Sequence, residues 1–170
     1  MLTITAQRLL TASLLGTGLV LSAVPAQAQQ TPTSAEETYR DIERTLGSVP
    51  SFLKQFPEMG IAGAWQEMKS VQLNPATKLD GKTKELIGLS VAAQIPCTYC
   101  IYFHTKAAKL NGATDEEIRE AVAMAAITRH WSTVLNGMQT DAAAFKTETD
   151  SMLERAADKA KSGASGATRP

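Results

Sequence analysis

Glu85-Leu-Ile-Gly88-Leu-Ser-Val-Ala92-Ala-Gln-Ile-Pro96-Cys97-Thr-Tyr-Cys100-Ile-Tyr-Phe-His104 is the stretch on which the fold turns. Every position from Leu86 to Ile95 is apolar, Gly, Ser or Gln. A helix of that composition has no polar face to keep in water, so it is expected in the middle of the molecule. Pro96 breaks the run and suits the start of a new helix, where its missing N–H costs nothing. The only two cysteines and one of the two histidines then fall within eight residues. On a helix, Cys97 and Cys100 are i,i+3 neighbours, and Cys100 and His104 are i,i+4 neighbours, so the three share one face. Ala108 continues that stripe, while Tyr102, Lys106 and Lys109 line the opposite side. The reactive face is therefore expected to turn toward protein, with Cys97 at the positive end of the helix dipole.

Glu85 is the last charge before the apolar run. Its stripe continues through Gly88, Leu89 and Ala92, which aims the carboxylate at packed surface; an acid in a first turn can equally serve to complement the dipole. Both readings stand on sequence alone.

Outward from this pair the pattern stays helical. Ser34 and Glu37 stand at capping-box spacing, and Tyr39, Ile42 and Leu46 follow at helical intervals up to Gly47. Pro50 and Pro57 each open a helical piece, the second carrying Ile61, Ala62, Trp65, Met68, Val71 and Leu73 until Asn74-Pro75 stops it. Trp65 and Phe56 read as core anchors. After Asn111-Gly112, Thr114 and Glu117 form a second capping box, with Ile118, Ala121, Val122, Ala125 and Ala126 as the buried side. His130-Trp131 is expected to close this helix or bridge into the next, where Val134, Leu135, Met138 and Phe145 recur. His130, an isolated histidine beside a tryptophan, reads as a packing or surface residue. No sustained alternating run would serve as a strand, so the expected class is all-α: one multi-helix bundle over residues 34–160. Residues 161–170, Ser/Gly-rich and poor in apolar side chains, are expected to be a disordered tail.

The N-terminus reads differently. Arg8 is the only charge before Glu36, an apolar run spans Leu9 to Val24, and Ala26-Gln27-Ala28 offers the small residues that signal peptidase reads. Residues 1–28 are expected to be a cleaved signal peptide and residues 29–33 a flexible leader. The expected location is periplasmic or secreted, with no membrane anchor after cleavage. The full chain carries 17 Lys and Arg against 17 Asp and Glu; removal of Arg8 leaves a net charge of −1. That balance gives no electrostatic basis for binding nucleic acid. The apolar surface of the Ala-rich helices exceeds the needs of a small monomer, so self-association is expected.

Export allows a disulfide to persist, and two cysteines permit a single intramolecular one. As a staple it would be poor: loop entropy gives about 2 kcal/mol for so short a loop, against about 3 for a 15-residue loop. Redox use is favoured. The thiolate is the reactive form, and most of a thiol ionises at neutral pH only if its pKa falls by about 2 units, roughly 2.7 kcal/mol of differential stabilisation. The helix N-terminus would act on Cys97 and the imidazole of His104 on Cys100, so position alone leaves the attacking sulfur open. A buried carboxylate holding His104, for which Glu85 is the candidate, would favour Cys100.

Glu85, then Cys97-x-x-Cys100, then His104 resembles the active-site pattern of the AhpD-like alkylhydroperoxidases within the carboxymuconolactone decarboxylase superfamily. The resemblance runs from about Leu46-Gly-Ser-Val-Pro50 through Asn111-Gly-Ala-Thr-Asp-Glu-Glu-Ile118 to Leu135-Asn-Gly137. It implies an AhpD-like helical fold assembling into trimers or larger rings such as hexamers. It also implies a peroxidase cycle without cofactor or metal. Cys100 is then the peroxidatic nucleophile, Cys97 the resolving cysteine, His104 the general base and Glu85 the proton relay that orients it. A hydroperoxide would be the substrate and a dithiol protein or small thiol the electron donor. Tyr99 stands where the best-studied branch has a histidine, and a phenol is the weaker base.

Rival readings come from other classes. An exported thiol-disulfide exchange protein would use the same pair on protein thiols. The superfamily's lactone decarboxylase branch does not rely on the cysteine pair. Two thiolates, an imidazole and a carboxylate also make a workable zinc set, and a helical scaffold with an incidental disulfide completes the alternatives.

Overall fold

The computed structural model describes residues 31–166; the expected signal peptide lies outside them. Among the described residues there are six α-helices and no strand. Helix α1 (Ala35–Leu46) is followed by a 3₁₀ turn (Ser51–Gln55), α2 (Glu58–Glu67), a π-helical turn (Met68–Gln72), α3 (Gly81–Gln94), α4 (Thr98–Leu110), α5 (Asp115–Gly137) and α6 (Ala142–Gly166). The all-α class follows from the periodicity.

The helix ends form where the sequence puts its caps. Ser34 and Glu37 cap α1 reciprocally, as Thr114 and Glu117 cap α5. Gly47 and Gly112 take φ of 81° and 85°, the left-handed backbone that lets a chain leave a helix end. Pro50 and Pro57 precede the 3₁₀ turn and α2. The leader is partly tied down: the Thr33 backbone N–H and hydroxyl both donate to the Glu37 carboxylate, at 3.0 and 3.1 Å.

Two clusters make the interior. Ile42 of α1 packs with Ile61 and Trp65 of α2, all nearly inaccessible, around the buried carboxylate of Asp41. Asp41 accepts from Trp65 Nε1 at 2.7 Å, from Lys69 Nζ at 2.7 and 3.0 Å, and from Arg44 at 3.1 Å. Burial pushes this carboxyl up, but the Lys69 ammonium, the Trp65 N–H and Arg44 outweigh it and hold it below its ordinary value.

The second cluster is α3 against α4 and α5, with Leu89, Ala92, Ala108 and Ala125 buried. The polar residues of the apolar run have a specific use here. The Ser90 hydroxyl donates to the Ala121 carbonyl at 2.9 Å, and the Gln94 amide donates to the Ala125 carbonyl one turn on. Small side chains on α5 let α3 come close enough for both clips. Lys82 adds an ion pair to Glu117 at 2.7 Å.

Several expectations are corrected. Helix α3 is central, yet one stripe of it is left uncovered: Ile87, Val91 and the C-cap residue Ile95, spaced four apart, are 49%, 54% and 62% exposed. His130-Trp131 does not interrupt α5, which has no Pro or Gly before Gly137 and continues its hydrogen-bond ladder through both residues. Phe56 is half exposed and rims a cavity of about 340 Å³ with Phe52, Leu53, Ile61, Trp65 and Met68, rather than anchoring the core. Helix α6 continues to Gly166, into the expected tail, because Ala156, Ala157 and Ala160 favour propagation of a helix already nucleated. Phe145, Met152 and Leu153 on α6 remain about half exposed.

Candidate active site

Cys97 is the N-cap residue of α4, where Pro96 ends the preceding turn. Its Sγ accepts from the Cys100 backbone N–H at 3.2 Å and is bonded to the Cys100 sulfur, with the two Cα atoms 5.3 Å apart. The helix start thus acts on Cys97, as its position implies. One turn beyond Cys100, His104 lies on the same face of α4 and is largely covered. Tyr102, Lys106 and Lys109 face solvent, with the Lys106 ammonium 5.6 Å from the Tyr102 ring centre.

Glu85 is buried, with 4% of its surface exposed. Its Oε2 lies 2.7 Å from His104 Nδ1, which settles its direction in favour of packed surface. Toward an ionised carboxylate, which can only accept, the ring donates from Nδ1, and in a neutral ring Nε2 then carries the lone pair. The tautomer is thus set by the partner the ring has.

Gly88 makes the approach possible. It stands one turn after Glu85 on α3, directly over the imidazole; a Cβ there would lie 2.5 Å from Nδ1 and 2.8 Å from Nε2. The ring occupies the space that any other residue would fill. Phe103 closes one side of it edge-on, with ring centres 5.3 Å apart.

The second Glu85 oxygen, Oε1, accepts from Gln72 Nε2 at 3.0 Å. No local pattern marks Gln72 in the sequence, and its importance emerges only from the fold. Tyr99, between the cysteines, is 88% exposed. His130 is exposed and meets Trp131 edge-on at 5.6 Å, apart from the site. Among the described residues, no three His, Cys, Asp or Glu side chains converge as metal ligands would. The arrangement can hold one imidazole in a fixed orientation, one helical turn beyond Cys100 on the same face of α4.

A bundle with a paired cysteine helix packed on an acid-bearing helix defines a recognisable class. The model of the carboxymuconolactone decarboxylase family matches residues 60–141, from α2 to the turn before α6. The AhpD core of an alkylhydroperoxidase from Rhodospirillum rubrum, a crystal structure, is similar with a TM-score of 0.57 and 27% identity. That match covers 65% of this chain and 85% of the other. Residues 60–141 thus match the carboxymuconolactone decarboxylase family, on a fold similar to that of the AhpD core.

Among curated proteins, "Uncharacterized protein 4 in cox locus" of Paracoccus denitrificans is 47% identical over 51 residues, 30% of this chain. The matched segment spans 46% of that relative's length.

Proposed function

We propose that the protein is an exported thiol-dependent peroxidase that reduces a hydroperoxide with the Cys97–Cys100 pair. The observation that carries this reading is the 2.7 Å contact between Glu85 and His104, made in the interior by a histidine that shares a helix face with Cys100.

In the reduced protein, His104 Nε2 takes the Cys100 proton, and Glu85 stabilises the imidazolium. The thiolate attacks the outer peroxide oxygen: an S–O bond forms, the O–O bond breaks, and the leaving alkoxide takes the proton from His104 as an alcohol. Cys100 is then a sulfenic acid. Cys97 attacks its sulfur, water leaves, and the disulfide present in this structure results. A dithiol donor returns two electrons and two protons. The similarity to an alkylhydroperoxidase core from Rhodospirillum rubrum supports the same chemistry.

The test is peroxide consumption by reduced protein supplied with a dithiol. Consumption with one disulfide formed per peroxide is expected. Peroxide left untouched while protein dithiols exchange rapidly would favour the disulfide-exchange reading instead.

The uncovered stripes on α3 and α6 support a homo-oligomer, of trimer or hexamer order by resemblance. Light scattering should give a mass at least three times that of one chain. Residues 1–28 support export, and mass spectrometry of the exported protein should find Gln29 at its N-terminus; an intact Met1 would contradict cleavage.

Gly88→Ala should drive the imidazole off its place and lower peroxide consumption by up to about 100-fold, the size of effect a misplacement of about 1 Å can have. Comparison of wild type and variant at equal folded fraction checks it.

A further inference from the structure

We propose that Gln72 is a positioning residue of the site, setting the carboxylate of Glu85 so that His104 keeps its proton on Nδ1. The consequence for rate rests on the peroxidase reading; the positioning itself does not.

Glu85 has two oxygens and one imidazole to hold. With Oε2 at 2.7 Å from Nδ1 and Oε1 accepting the Gln72 amide N–H at 3.0 Å, the carboxylate is fixed at both ends. Without the second contact it could rotate about its last bond, and the ring would lose the partner that selects its tautomer. Gln72 therefore acts through Glu85, two hydrogen bonds away from the ring's reacting nitrogen.

The backbone shows how Gln72 is aimed. It is the last residue of the π-turn, in which the Leu73 N–H reaches back five residues to the Met68 carbonyl at 3.0 Å. An i→i+5 turn holds one residue more than an α-turn, which rotates the residues beyond it by about 100° relative to an unbroken helix. Continued as an α-helix, position 72 would share the face of Trp65 and Met68, which line the apolar cavity. Gln72, at the close of that turn, instead places its amide on Glu85 of α3. The π-turn is itself anchored, because Lys69 within it is tied to the buried Asp41.

The experiment compares wild type with Gln72→Met, which keeps the length and removes the donor, and Gln72→Lys, which keeps a donor. The ¹⁵N shifts of the His104 ring are read at a pH where the imidazole is neutral, with His130 as internal reference. Wild type and Gln72→Lys should show protonated Nδ1 and free Nε2. Gln72→Met should show a mixture of tautomers, with peroxide consumption about tenfold lower, the weight of one hydrogen bond to a charged group.

A second readout leaves Gln72 intact: its side-chain N–H should exchange with solvent at least about tenfold faster in Glu85→Ala than in wild type, the weight of the same hydrogen bond. An unchanged ring signature in folded Gln72→Met, or equal exchange in Glu85→Ala, overturns the proposal. Wild-type protein that shows the Nδ1–H ring yet consumes no peroxide would end the peroxidase reading and leave the positioning role standing.

Discussion

Cys100→Ser is expected to lower peroxide consumption by about a thousandfold or more, the scale at which removal of a nucleophile acts in enzymes that depend on one. A serine hydroxyl ionises far too weakly for His104 to activate it against an O–O bond. Cys97→Ser should behave differently, because attack precedes resolution. One equivalent of peroxide should be consumed rapidly, leaving a sulfenic acid on Cys100 that dimedone traps, and turnover should then stall. The contrast separates the two sulfurs, which the helix dipole and the histidine leave ambiguous when taken singly. Loss of the first turnover in Cys97→Ser and its survival in Cys100→Ser would reverse the assignment.

Asp41→Ala is expected to destabilise the fold by about 3–5 kcal/mol, read from urea unfolding at neutral pH. The variant leaves the Lys69 ammonium and the Trp65 N–H without the carboxylate to which both donate. The same pair predicts a pH dependence. Because the folded carboxyl titrates below its ordinary value of 3.8, its contribution is complete well above that pH. It is lost as pH falls through the lower folded value, where the bound proton cancels the charge that Lys69 and Arg44 compensate. The stability difference between wild type and variant should therefore narrow as the pH drops below 3.8. A difference that stays constant through strongly acidic pH would mean that packing, not charge, sets the cost.

The parts of this molecule legible in its sequence are those governed by local rules. Capping boxes, the prolines before helices and the break at Pro96 determine where helices begin, and the face shared by Cys97, Cys100 and His104 follows from helical spacing alone. The meeting of Glu85 with His104 is half legible: the stripe through Gly88 and Ala92 points inward, but only packing chooses that over a dipole role. The hidden parts depend on distant pairing. Asp41 and Lys69 are 28 residues apart, and no pattern on either helix announces the other. Gln72 looks like any polar residue near a helix end, since the π-turn that aims it leaves no residue signature. The half-covered face of α3 escapes the sequence for a related reason: composition shows that Ile87, Val91 and Ile95 avoid water, but not whether this chain or another copy shields them.

The most direct test of the central claim, that a carboxylate-held histidine activates Cys100, is the alkylation rate of that one thiol. Reduced Cys97→Ser protein, in which Cys100 is the sole cysteine, is treated with iodoacetamide at neutral pH, alone and with Glu85→Gln added. The substituted amide would hold the ring's place without stabilising an imidazolium, so the rate should fall about tenfold, one hydrogen bond to a charged group. Equal rates would show that Glu85 and His104, however close, do nothing for the sulfur.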